Sequence, residues 1–467
     1  MARRILLSLV AATVAIGGRA RAEPNPDRVI VSGFDDKEDL GVRQRSYVLP
    51  VVEILLGNLT VSVGAWAVGM PWGARDSDRW VEQLGTPWHL DEDMYSINQL
   101  AHPFGGSLSF SAARSTGHNF WVAGLYSIGS SMLWETVIEN QPPSINDMIT
   151  TSIGGMFIGE AVHRFGRALL YRGYGPPGYT RKATAAVLDP IGAANRHWWG
   201  DAWRKTVPPN MYAHFGVGYQ QPSAVLGNRG GDPQFHTEVY VEHGLLGDRS
   251  FEPRRPLDHF ELYAAVNAGK GNLEGDLYVR GVLLGDGVWR EDVRGMYGLF
   301  GAYDYNNNDY VRASMLGVGP GVTAEVPLDS RGYIAGTLAA YVVPYGSAGG
   351  AEEIEGPNRD NHDGPGLAQI AELKGGQRGR FALKVTLRAY EIAGRLVGDE
   401  ANEYVLQTTV GARYQVRRHH AIGVEATQSY ERASFAEDIP TVMDTDPNRT
   451  TDFRVFYAVT TDEILGR

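Results

Sequence analysis

The hydrophobic periodicity of this chain changes at Pro208-Pro209, and that change restricts the fold more than any other feature. Before the two prolines, apolar residues recur at helical spacing. From about Met211 onward they alternate with polar residues, a pattern typical of β-strands with one apolar face. Consecutive prolines do not continue a helix. The sequence therefore predicts an α+β chain, with a helical region first and an antiparallel β region second.

The alternation is clearest near the C-terminal end. One face carries Phe381, Leu383, Val385, Leu387 and Ala389, and the other carries Arg380, Lys384, Thr386, Arg388 and Tyr390. The polar face has more charge than a soluble sandwich would place there. With 58 Gly, 23 Tyr and 10 Trp in the chain, this favours a transmembrane β-barrel of the outer-membrane kind. A soluble all-β domain is the alternative.

Eleven strands can be placed by this alternation. They lie near 211–220, 236–245, 259–268, 274–284, 295–304, 310–324, 332–343, 380–390, 406–413, 419–430 and 451–460. Because bacterial outer-membrane barrels have an even number of strands, we expect about twelve. The missing strand is either the segment before Trp66 or one that the pattern does not separate. The acidic, Gly-rich stretch from Gly346 to Gly379 is predicted to be an exposed loop.

Polar residues interrupt three apolar helical segments between Asp93 and Leu170. Asn98 and His102 are four residues apart, and so are Glu135 and Glu139, so each pair lines one stripe of its helix. We expect these polar stripes to face each other. With a further segment at 181–196, the sequence predicts a region of about four helices.

Four motifs in this region have a recognisable order. They are Asn98-Gln99-x2-His102-Pro103-x-Gly105, Ser131-x2-Trp134-Glu135-x3-Glu139, Ser144-x2-Asp147-x2-Thr150 and Gly159-Glu160-x3-Arg164. Over residues 45–200 they resemble an uncharacterised family of Gram-negative envelope proteins that is known only as a domain of unknown function. The resemblance implies an envelope location and attaches no activity to the chain.

The N-terminal residues indicate export. Two early arginines, an apolar run and Ala20-Arg21-Ala22 predict a cleavable signal peptide at 1–22. We expect a flexible lead at 23–45, a periplasm-facing helical domain at 46–205 and an outer-membrane barrel at 208–467. The expected partners are outer-membrane lipid and periplasmic components. A formal net charge of −11 argues against nucleic acid.

The candidate site is the set of polar stripes on the helices. Glu135 and Glu139 repel each other at this spacing, so something must neutralise them. One hypothesis is a metal ion held by both glutamates with His102 and Asp147.

The alternative is a structural network, in which the glutamates pair with Arg164 or Arg167 or bond to Asn98 and Gln99. The remaining expected members of that network are Ser131, Thr151, Glu160 and Arg164.

Two functions remain open at this stage. One is a non-catalytic envelope protein whose helices plug or buttress the barrel. The other is a membrane-associated hydrolase or metal enzyme that uses His102, Glu135, Glu139 and Asp147, with Ser127 or Ser131 as a conceivable nucleophile. No zincin, P-loop, dinucleotide or Gly-x-Ser-x-Gly motif accompanies them, and no cofactor can be named from the sequence.

Overall fold

The structure is a computed structural model. It describes residues 28–31, 45–70, 72–73, 85–91, 93–171, 176–202, 208–224, 231–270, 273–308, 310–349, 361–394, 401–435 and 448–461. The predicted signal peptide and most of the predicted lead lie outside these residues. Within the lead, Arg28–Val31 forms a short strand, β1, that pairs with residues 285–288 of the barrel.

Among the described residues six helices precede the barrel, where about four were expected. They are α1 (Leu49–Ala67), α2 (Ile97–Ala101 continuing as His102–Ser115), α3 (Phe120–Leu133 continuing as Trp134–Ile138), α4 (Ile145–Ile149, Thr150–Gly154 and Gly155–Tyr171), α5 (Tyr179–Leu188) and α6 (Pro190–Trp198). Ser144 caps α4, because its side chain accepts a hydrogen bond from the Asp147 amide. The predicted segment at 181–196 divides at Asp189, which caps α6.

Twelve antiparallel strands form a closed barrel, which confirms the predicted number. They are β2 (Met211–Ala224), β3 (Gln234–His243), β4 (Phe260–Ala268), β5 (Leu273–Trp289), β6 (Arg294–Asn307), β7 (Arg312–Pro327), β8 (Gly332–Gly349), β9 (Asn361–Gln377), β10 (Phe381–Gly394), β11 (Ala401–Arg417), β12 (His420–Phe435) and β13 (Asn448–Thr460). Each pairs with its sequence neighbours, and β13 pairs with β2 to close the ring.

The twelfth strand is β9, and the prediction of a loop over this stretch was wrong. Residues 361–377 pair with β8, and residues 366–377 also pair with β10. Their many glycines and charges resemble a loop in composition. Backbone ladder bonds do not depend on that composition, and Glu372 and Lys374 are polar because they face the lumen. Residues 350–360 lie outside the described part of the chain.

The two rims of the barrel differ. Short connections at 290–293, 328–331, 378–380 and 418–419, with one longer connection at 244–259, lie at the rim where β2 starts and β13 ends, which we call the short-turn rim. Longer connections at 225–233, 350–360, 395–400 and 436–447, with two short ones at 269–272 and 308–311, lie at the opposite rim, the long-loop rim. Outer-membrane barrels have short periplasmic turns and longer external loops.

The helices pack against the outer wall of the barrel. On β4, Glu261 and Tyr263 face the lumen, so Phe260 and Leu262 between them face outward. Both are nevertheless buried, in one core with Phe110 and Phe157 of the helices. The equivalent outward residue Val455 on β13 is 57% exposed. Helices therefore cover one side of the wall and leave the other side bare.

Two glycines permit this close packing. A Cβ on Gly301 of β6 would lie 2.6 Å from the ring of Phe157, so glycine lets α4 approach the wall. A Cβ on Gly106 of α2 would lie 1.8 Å from the Thr151 carbonyl oxygen of α4. These contacts fix α4 between the barrel and α2.

Candidate functional site

The structure brings the predicted site residues together. His102 Nε2 lies 3.5 Å from Asp147 Oδ2. Glu135 Oε2 accepts a hydrogen bond of 2.9 Å from the amide of Ser144, the residue that caps the helix of Asp147. Glu139 lies close enough to Glu135 for the charge of Glu135 to raise the pKa of Glu139.

Asp91 is the central member, and sequence reasoning missed it. Its Oδ1 accepts hydrogen bonds from Asn98 Nδ2 at 2.8 Å and Asn146 Nδ2 at 2.9 Å, and its carboxyl also bonds to that of Asp147. We call Asp91, His102, Glu135, Glu139 and Asp147 the acidic cluster. Asp91 lies in a Pro- and Asp-rich segment before the first motif, where no helical spacing links it to the others.

The acidic cluster holds protons at neutral pH. Burial raises the pKa of Glu139 to about 8, and the neighbouring charges of Glu135 and Asp91 add to this. Burial also raises the pKa of Glu135 to about 7 and that of Asp147 well above its usual range. Burial alone would raise the pKa of Asp91 too, but hydrogen bonds from Asp147, Asn146 and Asn98 hold it well below its usual range. Burial lowers the pKa of His102.

These shifts describe a carboxylic acid pair. Asp147 carries the proton that it shares with the ionised Asp91, and a neutral His102 lies beside them. Within the part of the chain that the structure describes, no three His, Asp or Glu side chains are arranged to hold a metal ion. Chemically, the cluster takes up and releases protons.

The predicted network residues have separate roles. Asn98 belongs to the acidic cluster through Asp91. Gln99 joins the helices to the barrel, because it bonds to Ser314 Oγ at 2.8 Å and Tyr345 OH at 3.3 Å. Ser131 is buried with its hydroxyl unbonded among the described residues, and the Thr151 backbone lies against Gly106.

Glu160 and Arg164 belong to a second group of charges. Glu160 accepts hydrogen bonds of 2.6 Å from Arg114 Nε and from Arg164 Nε. Arg164 Nη1 also donates a hydrogen bond of 2.6 Å to Asp258 Oδ1. We call these four residues the paired cluster. Arg167 bonds to Asp201. The expected pairing of Glu135 and Glu139 with Arg164 or Arg167 is therefore replaced by these partners.

Ser127, one of the two serines considered as nucleophiles, supports helix packing instead. Ser127 Oγ lies 3.2 Å from the Gly106 carbonyl oxygen and 3.3 Å from that of Ser152, so its hydroxyl joins α3 to α2 and α4. His102 pairs with Asp147. This geometry gives no specific support to a hydrolase.

The barrel lumen holds a third group of charges, which sequence reasoning recognised only as a polar face. Arg388 on β10 bonds to Asp276 on β5 and Asp304 on β6 at 3.0 to 3.2 Å. Lys374 on β9 reaches Glu242 on β3 at 2.9 Å. These strands lie on different sides of the ring, so the bonds cross the lumen.

A cavity of about 670 Å³ opens among these residues toward the short-turn rim. Its lining combines tyrosines and charges; among them are Tyr212, Tyr240, Tyr263, Tyr278, Lys384 and Arg413. This volume falls in the range of small-molecule pockets. The lining suits a small solute that both forms hydrogen bonds and contacts aromatic rings.

Residues 87–191 match a family described as "Domain of unknown function (DUF3943)". All five members of the acidic cluster lie within the matched residues. No curated protein matches the chain.

Among solved structures, "NanC porin structure in rhombohedral crystal form" is similar at 8% identity and a TM-score of 0.28, over 52% of this chain and 98% of that chain. "KdgM porin" is similar at 8% identity and a TM-score of 0.26, over 53% of this chain and 99% of that chain. "CymD monoaromatic hydrocarbon channel" is similar at 11% identity and a TM-score of 0.24, over 55% of this chain and 90% of that chain.

Proposed function

We propose that this chain is a non-catalytic outer-membrane protein whose barrel is closed to free diffusion and buttressed from outside by its helices. The polarity of the barrel supports the membrane location. Where helices do not cover it, the outer wall exposes apolar side chains such as Leu383, Val424 and Val455, while the lumen is charged. A barrel in water would have the opposite polarity.

The observation that carries the closed state is the set of bonds across the lumen. Asp304 is fully buried among Arg280, Arg388 and Tyr390. Nearer the long-loop rim, Gln407 on β11 bonds to Asn306 on β6 at 3.0 Å. Side chains thus occupy the space that water and ions would need. Because Arg280, Asp304, Arg388, Gln407 and Asn306 all lie on strands, the closure that they produce does not depend on the helices.

Planar-bilayer conductance of the full chain tests the proposal. We expect no large steady conductance from the native protein, and a clear increase after joint replacement Arg388→Ser and Gln407→Ser, which removes two bridges. Leu387→Ala is the matched control, since Leu387 is adjacent to Arg388 and faces outward. A large steady conductance of the native chain would overturn the closed state.

A further inference from the structure

Helix α1 presents an apolar surface that no part of the described protein covers. Among the described residues it is the one helix long and apolar enough to cross a membrane, with 22% of its apolar window buried. Eight large apolar side chains along it are 43% to 63% exposed: Val51, Val52, Leu55, Leu56, Leu59, Val61, Val63 and Trp66. A surface helix in water would place polar residues there.

Three polar side chains of α1 find partners inside the protein. Glu53 accepts a hydrogen bond of 3.1 Å from Asn195 of α6, and Asn58 donates one to Ser130 of α3. Thr60 Oγ1 bonds to the Leu56 carbonyl oxygen one turn earlier on the same helix. Hydrocarbon offers no partner to such groups, so internal bonding is what an apolar surrounding requires.

The length of α1 fits the membrane. Nineteen residues at about 1.5 Å each give a helix of about 28 Å, close to the roughly 25 Å apolar band of outer-membrane barrels. Glu53 and Asn58 lie on the side toward the other helices, and exposed apolar residues continue from Val51 to Trp66.

The helical region covers one side of the barrel wall, and this position explains the exposed apolar surface of α1. The helices cover outward residues such as Leu262 and Tyr303, which lie on the same wall as the exposed Val424 and Val455. If one side of the wall contacts lipid, the layer covering the other side must contact lipid too.

We infer that the outer face of α1 contacts the acyl chains of membrane lipid, so that α1 replaces part of the barrel wall as the lipid-facing surface. The inference rests on the proposed outer-membrane location. It gives α1 a place beside the barrel in the bilayer, whereas the sequence predicted a periplasm-facing helical domain.

The lack of cysteine in the native chain allows a direct test by single labels. The full chain carrying Leu59→Cys, Val424→Cys or Ser330→Cys is labelled with a fluorophore and refolded into phosphatidylcholine vesicles with or without doxyl-labelled lipid. Leu59 represents α1, Val424 the bare wall and Ser330 the short-turn rim. We expect doxyl lipid to quench Leu59 and Val424 labels to a similar degree, several-fold more than the Ser330 label, and aqueous iodide to show the reverse order.

The outcomes separate this inference from the proposed function. Quenching at Val424 with an iodide-accessible label at Leu59 would overturn the inference and leave the membrane barrel standing. Iodide access at both would overturn both. If Leu59→Cys fails to fold, Val63→Cys provides the same measurement, because Val63 is also exposed on α1.

Discussion

The acidic cluster and the paired cluster show how one type of sequence signal leads to two kinds of site. Both contain acids on mostly apolar helices, and Glu135, Asp147 and Glu160 among them are buried. In the paired cluster, Glu160 lies between Arg114 and Arg164, and Arg164 also pairs with Asp258. In the acidic cluster, the neighbours of each acid are mainly other acids, amides and a neutral histidine.

The difference shows that the protonation state of a buried acid depends on its neighbours. An acid buried beside a cation keeps its charge, whereas an acid buried among other acids keeps its proton. A buried ion pair is strongly destabilised when one partner is removed, because an unpaired charge is left. A buried acid among acids keeps its proton, so its neutral amide counterpart fits the same space. The two clusters should therefore respond differently to the same substitution.

The largest expected effect is that of Glu160→Gln. It leaves Arg114 and part of Arg164 without a counter-charge and should lower the free energy of unfolding by roughly 3–5 kcal/mol. Urea unfolding of the refolded protein in detergent, followed by tryptophan fluorescence, measures the shift of the midpoint.

Glu139→Gln is the matched control, with the same change of atoms in the acidic cluster. It should leave the midpoint unchanged or raise it. Equal destabilisation by both variants would erase the distinction between the clusters and would imply that a cation lies beside Glu139.

The next effect is the pH dependence of the helical region. Glu139 and Glu135 keep their protons in the folded protein to about pH 8 and 7, above their ordinary range. Their contribution to stability is therefore complete below about pH 4.5 and is lost as pH rises through 7 to 8. Glu139→Gln should stabilise the protein by about 1–2 kcal/mol at pH 9 and hardly at all at pH 5. A parallel pH profile of the two proteins would contradict this assignment of the proton.

A smaller contrast separates the two bonded aspartates. Asp91→Asn should cost about 1–3 kcal/mol, because Oδ1 of Asp91 accepts from Asn98 and Asn146 and the charge strengthens both bonds. Asp147→Asn should cost less than about 1 kcal/mol, since the amide can donate to Asp91 as the protonated acid does. Thermal unfolding of both variants at pH 7 gives the comparison, and the reverse order would assign the proton to Asp91.

Much of the architecture follows from local pattern. The period change at Pro208-Pro209 marked the passage from helices to strands, and alternation such as that of Leu383 to Leu387 placed eleven strands. Helical spacing brought His102, Glu135, Glu139 and Asp147 into one hypothesis, and the structure places them together. Each of these features depends on residues a few positions apart.

What the sequence did not reveal depends on distant contacts. Phe260 and Leu262 look like any lipid-facing pair, and only their contact with Phe157 and Phe110 shows that helices cover them. Asp91 has no spacing relation to Asp147, although the two side chains bond. The ladder of β9 forms with β8 and β10 despite a composition that resembles a loop.

The smallest expected effect concerns divalent metal. A cation in the acidic cluster would have to displace the proton of Asp147 and the amides of Asn98 and Asn146 that already bond to Asp91. At pH 7 the carboxylate of Asp91 is already hydrogen-bonded, and Glu139 and Asp147 keep their protons, so the cluster offers fewer free carboxylate ligands than Ca²⁺ or Mn²⁺ needs. Removing metal with EDTA, or adding Mn²⁺, should therefore change the Tm by less than about 1 °C. A free-energy change of 1 kcal/mol would shift it by roughly 2–4 °C in a domain of 150–250 residues, and by less in a larger chain. At pH 9, where Glu135 and Glu139 are ionised, added Mn²⁺ should raise the Tm of the native chain more than that of Glu139→Gln. A clear stabilisation by Mn²⁺ at pH 7, abolished by His102→Ala, would instead establish the metal site that the sequence first suggested.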